Sequence, residues 1–137
     1  MITEDYVSFE TAKLLKEKGF DADIDLWYDK DGVKFFTNKY EISSDWRVRQ
    51  NQNVYLCPTL QMTMKWLREN HNLHIIVTPE YGDVEYMPGE WQEEFLGWKY
   101  TIISVNGTTT TVHPTVYAKT AESAYEAGIE YCIKYAI

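Results

Sequence analysis

Nucleophilic or metal chemistry would have to come from very few side chains. The sequence holds two cysteines, Cys57 and Cys132, and three histidines, His71, His74 and His113. Cys57 stands just before Pro58, where a helix start is expected. A helix N-terminus stabilises a thiolate and can make it a nucleophile, and one of the histidines would then serve as its base. The preceding Tyr55-Leu56 instead reads as the end of a buried strand, which makes Cys57 a packed, inert thiol. Cys132 falls on the apolar arc of the last helix and reads as core. The two form no C-x-x-C pair and are too few for a disulfide framework, so both are expected to be reduced. His71 and His74 are three apart across an expected helix-to-strand junction, whereas a helical metal pair sits at i, i+4 on one face. Phosphate loops, dinucleotide fingerprints, serine elbows and zinc-protease helices leave no motif here. No catalytic residue, cofactor or metal site is therefore assigned, and a small enzyme using Cys57 or a histidine stands as the alternative to a binding role.

Residue types suited to binding are more plentiful. Glu80, Asp83, Glu85, Glu90, Glu93 and Glu94 form an acidic run interleaved with Tyr81, Tyr86, Met87, Trp91 and Phe95. Large aromatics outside the core often mark an interface; the bland reading folds Trp91 and Phe95 back onto the core. A second group lies on an expected helix. Leu60, Met64 and Leu67 make one apolar stripe, and Met62 and Trp66 fall nearly opposite, with Gln61, Lys65 and Arg68 between. A surface helix needs only one stripe. Either this helix is covered on both sides, or Met62 and Trp66 are a contact patch. The candidate interaction surface is thus Met62, Trp66, Tyr81, Tyr86, Trp91 and Phe95.

The elements that must position these residues follow from periodicity. Ser8 caps a helix with the stripe Val7, Thr11, Leu14 and Leu15, stopped by Gly19 and Phe20. Asp21 to Trp27 alternates acid and apolar like a half-buried strand. Lys30-Asp31-Gly32 turns the chain into a return strand, Val33 to Thr37. Residues 38–53 give no clear pattern; Asn53 to Cys57 suits one short strand. A second helix is expected from about Pro58 to Asn70, with proline in its first turn. Leu73 to Thr78 reads as a short strand. Residues 79–94, with Pro79, Gly82, Pro88 and Gly89, read as a loop containing at most a weak strand. Trp98 to Val105 and Thr108 to His113 read as a hairpin about Asn106-Gly107. Thr120 caps a last helix running nearly to Ile137, with Glu122, Glu126 and Glu130 on its solvated face. The expected fold is α+β, an antiparallel β-sheet with about three α-helices packed on it, in a single domain over residues 1–137.

Net charge is −8. Residues 1–68 carry −1 of it and residues 69–137 carry −7. A surplus of that sign disfavours nucleic acid and anionic membrane as partners. The first residues are acidic where a signal peptide would be basic and then apolar, and no apolar run approaches a membrane span. A cytoplasmic setting is expected.

Several blocks resemble a family of small proteins from gut anaerobic bacteria and their prophages and mobile elements. They are Tyr6 to Glu10, Ala12 to Phe20, Pro58 to Met62, Met64 to Glu69, His71-Asn72, Tyr125 to Ala127 and Tyr131. The likeness implies a cytoplasmic, mobile-element setting and carries no activity and no functional residue. The reading taken from the sequence is a small acidic protein–protein interaction or accessory module of phage or mobile-element origin. Its partner would be another protein or a second copy of itself. An acidic nucleic-acid mimic that blocks a DNA-binding protein is a third reading.

Overall fold

A computed structural model of the chain describes residues 3–37, 42, 52–104, 109–112 and 117–137. Helix α1 spans Phe9–Glu17. The Ser8 hydroxyl accepts the Thr11 N–H at 3.2 Å at its start. At its end Phe20 N–H donates to Leu15 O at 3.0 Å and Gly19 N–H to Lys16 O at 3.1 Å. That doubled closure needs a left-handed residue between, and Gly19 supplies it at φ 81°. Strands β1 (Leu26–Tyr28), β2 (Lys34–Phe36) and β3 (Tyr55–Leu56) make a small antiparallel sheet in the order β2-β1-β3. Helix α2 spans Leu60–His71, capped by Thr59 and closed by a left-handed Asn72 at φ 56°. Pro58 is buried just ahead of it and its carbonyl accepts the Val7 N–H at 3.1 Å, so the proline lies outside the helix it was expected to begin.

The second sheet is dominated by one hairpin. Strand β4 runs Leu73–Met87 and β5 runs Glu90–Ser104, with β6 (Thr109–Val112) on the other side of β5. The β5–β6 pairing joins Tyr100 to Val112 and Ile103 to Thr109, as expected of that hairpin; its Asn106-Gly107 turn lies outside the described residues. Helix α3 (Ala121–Tyr131) is capped by Thr120 and continues as a π-turn, Cys132–Ala136. It packs on β4 and β5 and touches α1 and α2. Close approach is possible because Gly128 has no side chain: a Cβ there would meet Ile75 Cγ2 at 2.8 Å. One cluster of buried residues draws on the three described helices and on both described sheets, including Leu15, Leu26, Trp27, Leu56, Leu67, Ile102, Ile129 and Ile133. The fold is α+β with antiparallel sheets. No described helix is long and apolar enough to cross a membrane.

Three expectations change. Among the described residues there are two three-stranded sheets in place of one. Residues 21–25 alternate in burial as expected, yet the ladder begins only at Leu26, because alternation sets faces and a neighbouring strand sets the ladder. Most of all, residues 79–94 are extended strand rather than loop. Pro79 breaks nothing there. Its cross-strand neighbour Trp98 turns its backbone N–H and C=O away, to Ala118 at 2.9 and 3.1 Å. Pro79 therefore occupies a non-bonded position on an edge strand, where a missing N–H costs no ladder bond. The turn is made by Pro88-Gly89 alone, with Gly89 at φ 79° after the fixed φ of proline.

Candidate functional site

Beyond the Glu80–Gly97 pair the β4–β5 hairpin leaves the rest of the molecule. Its root is clamped at Trp98, which bridges Ala118. At the next step Leu96 is an extra residue in β5, between Gly97 opposite Glu80 and Phe95 opposite Tyr81. Such a bulge bends and twists the strand. Gly97 takes φ 141° at this point, and a Cβ there would lie 2.5 Å from Tyr117 Cβ and 2.9 Å from Ala118 O. From Tyr81 to Met87 the ladder continues with no third strand on either edge among the described residues, a length of roughly 20 Å at strand rise. Every residue from Glu85 to Leu96 is exposed.

The period of two assigns the side chains of this arm to faces. Tyr81 opposes Phe95, Asp83 opposes Glu93 and Glu85 opposes Trp91, all on one face. The Tyr81 and Phe95 rings are 5.6 Å apart, and Phe95 continues to Trp98 at 5.7 Å. The reverse face carries Gly82, Val84, Gln92 and Glu94, with Leu96 lying over Gly82 and Gln92 donating to Glu94 at 2.8 Å. The acids of the arm are not equivalent. Glu80 pairs with Lys99 at 2.9 Å, and Glu85 accepts the Gly89 N–H at 2.8 Å to close the tip. Asp83 and Glu93 stand directly opposite each other, and neither has a cation partner among the described residues.

The candidate residues divide between two places. Tyr81, Tyr86, Trp91 and Phe95 are on the arm, each about half exposed or more, with Trp91 at 60%. They do not fold back onto the core. Met62 and Trp66 are on α2. Trp66 is half-buried, edge-on to Phe20 at 5.2 Å and to His71 at 4.7 Å. Met62 is 37% exposed at the margin of that layer. The arm and α2 form no common surface that any described contact joins. Leu96, 42% exposed, was not singled out in the sequence, where a bulge leaves no signal.

The two thiols considered for chemistry are packed away, while His71 and His74 are partly buried. Cys57 and Cys132 are free and buried. Burial holds the Cys57 thiol above its usual range, outweighing the Tyr28 hydroxyl and the Lys34 ammonium, which favour the thiolate. Tyr28 is itself raised by burial, and its hydroxyl donates to Val7 O at 2.6 Å. His113 lies outside the described residues. His71 ends α2 and His74 lies in β4, so the junction between them is as the sequence implied. No three His, Cys, Asp or Glu side chains among the described residues are grouped to hold a metal. An open depression is lined by Ser8, Tyr28, Lys34, Ser123 and Glu126 among others. Its Glu126 is engaged: it accepts the Ser8 N–H at 3.0 Å and the Thr11 hydroxyl at 2.7 Å. Glu130 also lies 3.2 Å from the Thr11 hydroxyl, as the alternative acceptor of its one proton, so two of the three acids expected to be merely solvated serve the α1–α3 contact.

Comparison with family models, with curated proteins and with solved structures finds no match.

Proposed function

We propose that the chain is a small acidic protein–protein interaction module and that the β4–β5 arm is its docking element. One observation supports this reading above all: Tyr81, Tyr86, Met87, Trp91, Phe95 and Leu96 are exposed on a two-stranded ribbon that leaves the core. A two-stranded hairpin is marginal in water by itself. Apolar surface held out on one is better explained by something that covers it than by folding, since it adds nothing to the packed core. Tyr and Trp are also the side chains that most often anchor an interface. The free, buried thiols suit a reducing, cytoplasmic setting. An accessory role in a prophage or mobile element is part of the same proposal.

The test compares the wild-type chain with a Trp91→Ala/Phe95→Ala double variant as baits in a lysate of the native host. The expected result is a specific set of proteins held by the wild type and lost by the variant, at an unchanged melting temperature. Identical capture by both baits would overturn the reading. So would a variant that unfolds, because the rings would then belong to the core.

A further inference from the structure

The arm's exposed face carries an arrangement that is costly when nothing is bound. Asp83 and Glu93 are directly opposite in the ladder, and like charges so placed destabilise a strand pair. They lie between two aromatic rungs, Tyr81–Phe95 on the root side and Trp91 on the tip side. The neighbouring acids do not share their situation, because Glu80 has Lys99 and Glu85 has the Gly89 N–H. Accepting the arm as the docking element, we propose that this face takes an arginine-bearing basic segment of a partner protein. Charge complementarity and ring placement carry the assignment together. A guanidinium is planar, accepts two carboxylates through its fork of N–H donors and stacks on aromatic faces. One guanidinium between Asp83 and Glu93 meets both carboxylates while its flanks meet the rings of Tyr81, Phe95 and Trp91. A lysine ammonium offers the charge without the plane.

The same charges argue against a second copy as the occupant. The arm from Glu80 to Gly97 holds six acids and no basic residue. Pairing two arms would set acid against acid along their whole length, a juxtaposition that costs affinity at close range.

The experiment uses octa-arginine and octa-lysine peptides as probes, with the full-length chain, by calorimetric titration at low and moderate salt. The wild type is expected to bind octa-arginine at least several-fold more tightly than octa-lysine, and both more weakly as salt rises. Asp83→Asn/Glu93→Gln is expected to lose about tenfold or more of the octa-arginine affinity, with a melting temperature equal to or above the wild type. Loss of binding with a gain in stability is a pairing that unfolding does not produce. Glu4→Gln/Glu17→Gln removes the same charge away from the arm and is expected to leave binding within about twofold, because distant charges are screened. Equal losses in the two double variants, equal affinity for the two peptides, or no binding of octa-arginine would each overturn the proposal. A lysate partner still held by Asp83→Asn/Glu93→Gln but lost by Trp91→Ala/Phe95→Ala would overturn the basic occupant and leave the arm as docking element. A dimer of the wild type in sedimentation, turned monomer by Trp91→Ala/Phe95→Ala, would replace the basic segment by a second copy.

Discussion

The carboxylate of Glu126, on α3, accepts the hydroxyl of Thr11, on α1, at 2.7 Å across 115 positions of sequence, and accepts the Ser8 N–H at 3.0 Å with the same oxygen. Thr11 is fully buried. The contact thus satisfies a buried hydroxyl and places negative charge at the start of α1, where the helix dipole favours it. Glu126→Ala should destabilise the chain by about 1–3 kcal/mol, and Glu126→Gln by less, because the amide oxygen still accepts a hydrogen bond. Urea unfolding of the two variants distinguishes these. Equal losses would mean that the charge alone matters, and no loss would mean that Glu130 replaces it.

Alkaline pH should weaken the fold. Burial pushes the Cys132 thiol up to about 12, and raises Cys57, Tyr28 and Tyr100 as well. Below about pH 8.5 these groups are protonated in both folded and unfolded chains and add no slope. Above it the unfolded chain releases protons that the folded chain keeps, so stability falls as pH rises toward the folded values. Each thiol contributes at most about 1.4 kcal/mol per pH unit in that window. Urea midpoints should be level from about pH 7 to 8.5 and fall beyond it, and the fall should be shallower in Cys132→Ala. A midpoint unchanged at about pH 10.5 would contradict the burial of these groups. Neither thiol should react with Ellman's reagent until the protein is unfolded.

The α+β class, the three described helices, the caps Ser8 and Thr120 and the β1–β2 and β5–β6 pairings sit where periodicity, turn residues or capping chemistry place them. Those signals act within a few residues. Thr59 is hidden behind Pro58, which suits a first helical turn yet lies two residues before the helix begins at Leu60. The arm is hidden in the sequence for a different reason. Pro79 and Gly82 are strand breakers in a central strand, and only the orientation of the Trp98 backbone makes the Pro79 position harmless. The aromatics of residues 81–95 were legible as binding material by type, while their exposure depends on the hairpin outrunning the sheet that holds its root. The Glu126–Thr11 bond was invisible to the sequence for the same physical reason: it joins elements at opposite ends of the chain. A threonine in an apolar helical stripe did leave one local clue, since a buried hydroxyl must find a partner.

Trp66 and Met62 should behave differently although both lie opposite the main stripe of α2. Trp66 is packed edge-on against buried Phe20 and against His71. Trp66→Ala should cost about 2–4 kcal/mol, short of a fully buried tryptophan because part of the ring is exposed. Met62→Ala should cost less than about 1 kcal/mol. Thermal unfolding of both variants checks this. A Trp66→Ala protein that melts with the wild type while losing self-association or partner binding would make α2 an interface.

Gly97 is the position on which the root of the arm depends. Its φ of 141° is one that L side chains rarely adopt, and a Cβ would strike Tyr117 and Ala118. Gly97→Ala therefore meets backbone strain and a clash with neighbouring backbone together, and should cost about 2–4 kcal/mol. Gly89, at the tip, meets nothing within 4 Å, so Gly89→Ala carries only the conformational strain of φ 79° and should cost about 1 kcal/mol or less of global stability. Equal effects at the two glycines would mean that the clamp by Tyr117 and Ala118 does not hold the root.

Removing the arm should leave the core folded. Residues 82–94 pair with one another and lie outside the cluster that joins the helices and both sheets. Replacing them with Asn-Gly would join Tyr81 to Phe95, already cross-strand neighbours, through a two-residue turn suited to a hairpin. The packed rings of Tyr81, Phe95 and Trp98 stay above the root, and Gly97 keeps its contacts with Tyr117 and Ala118. The shortened chain should melt cooperatively, with stability within about 1 kcal/mol of the wild type, because the lost ladder is a two-stranded ribbon in water and contributes little. It should also lose the partner that the wild type captures. Retained capture would move the docking surface to the body of the molecule. Failure to fold would show that the ribbon supports the sheet at its root, and that its aromatics are structural after all.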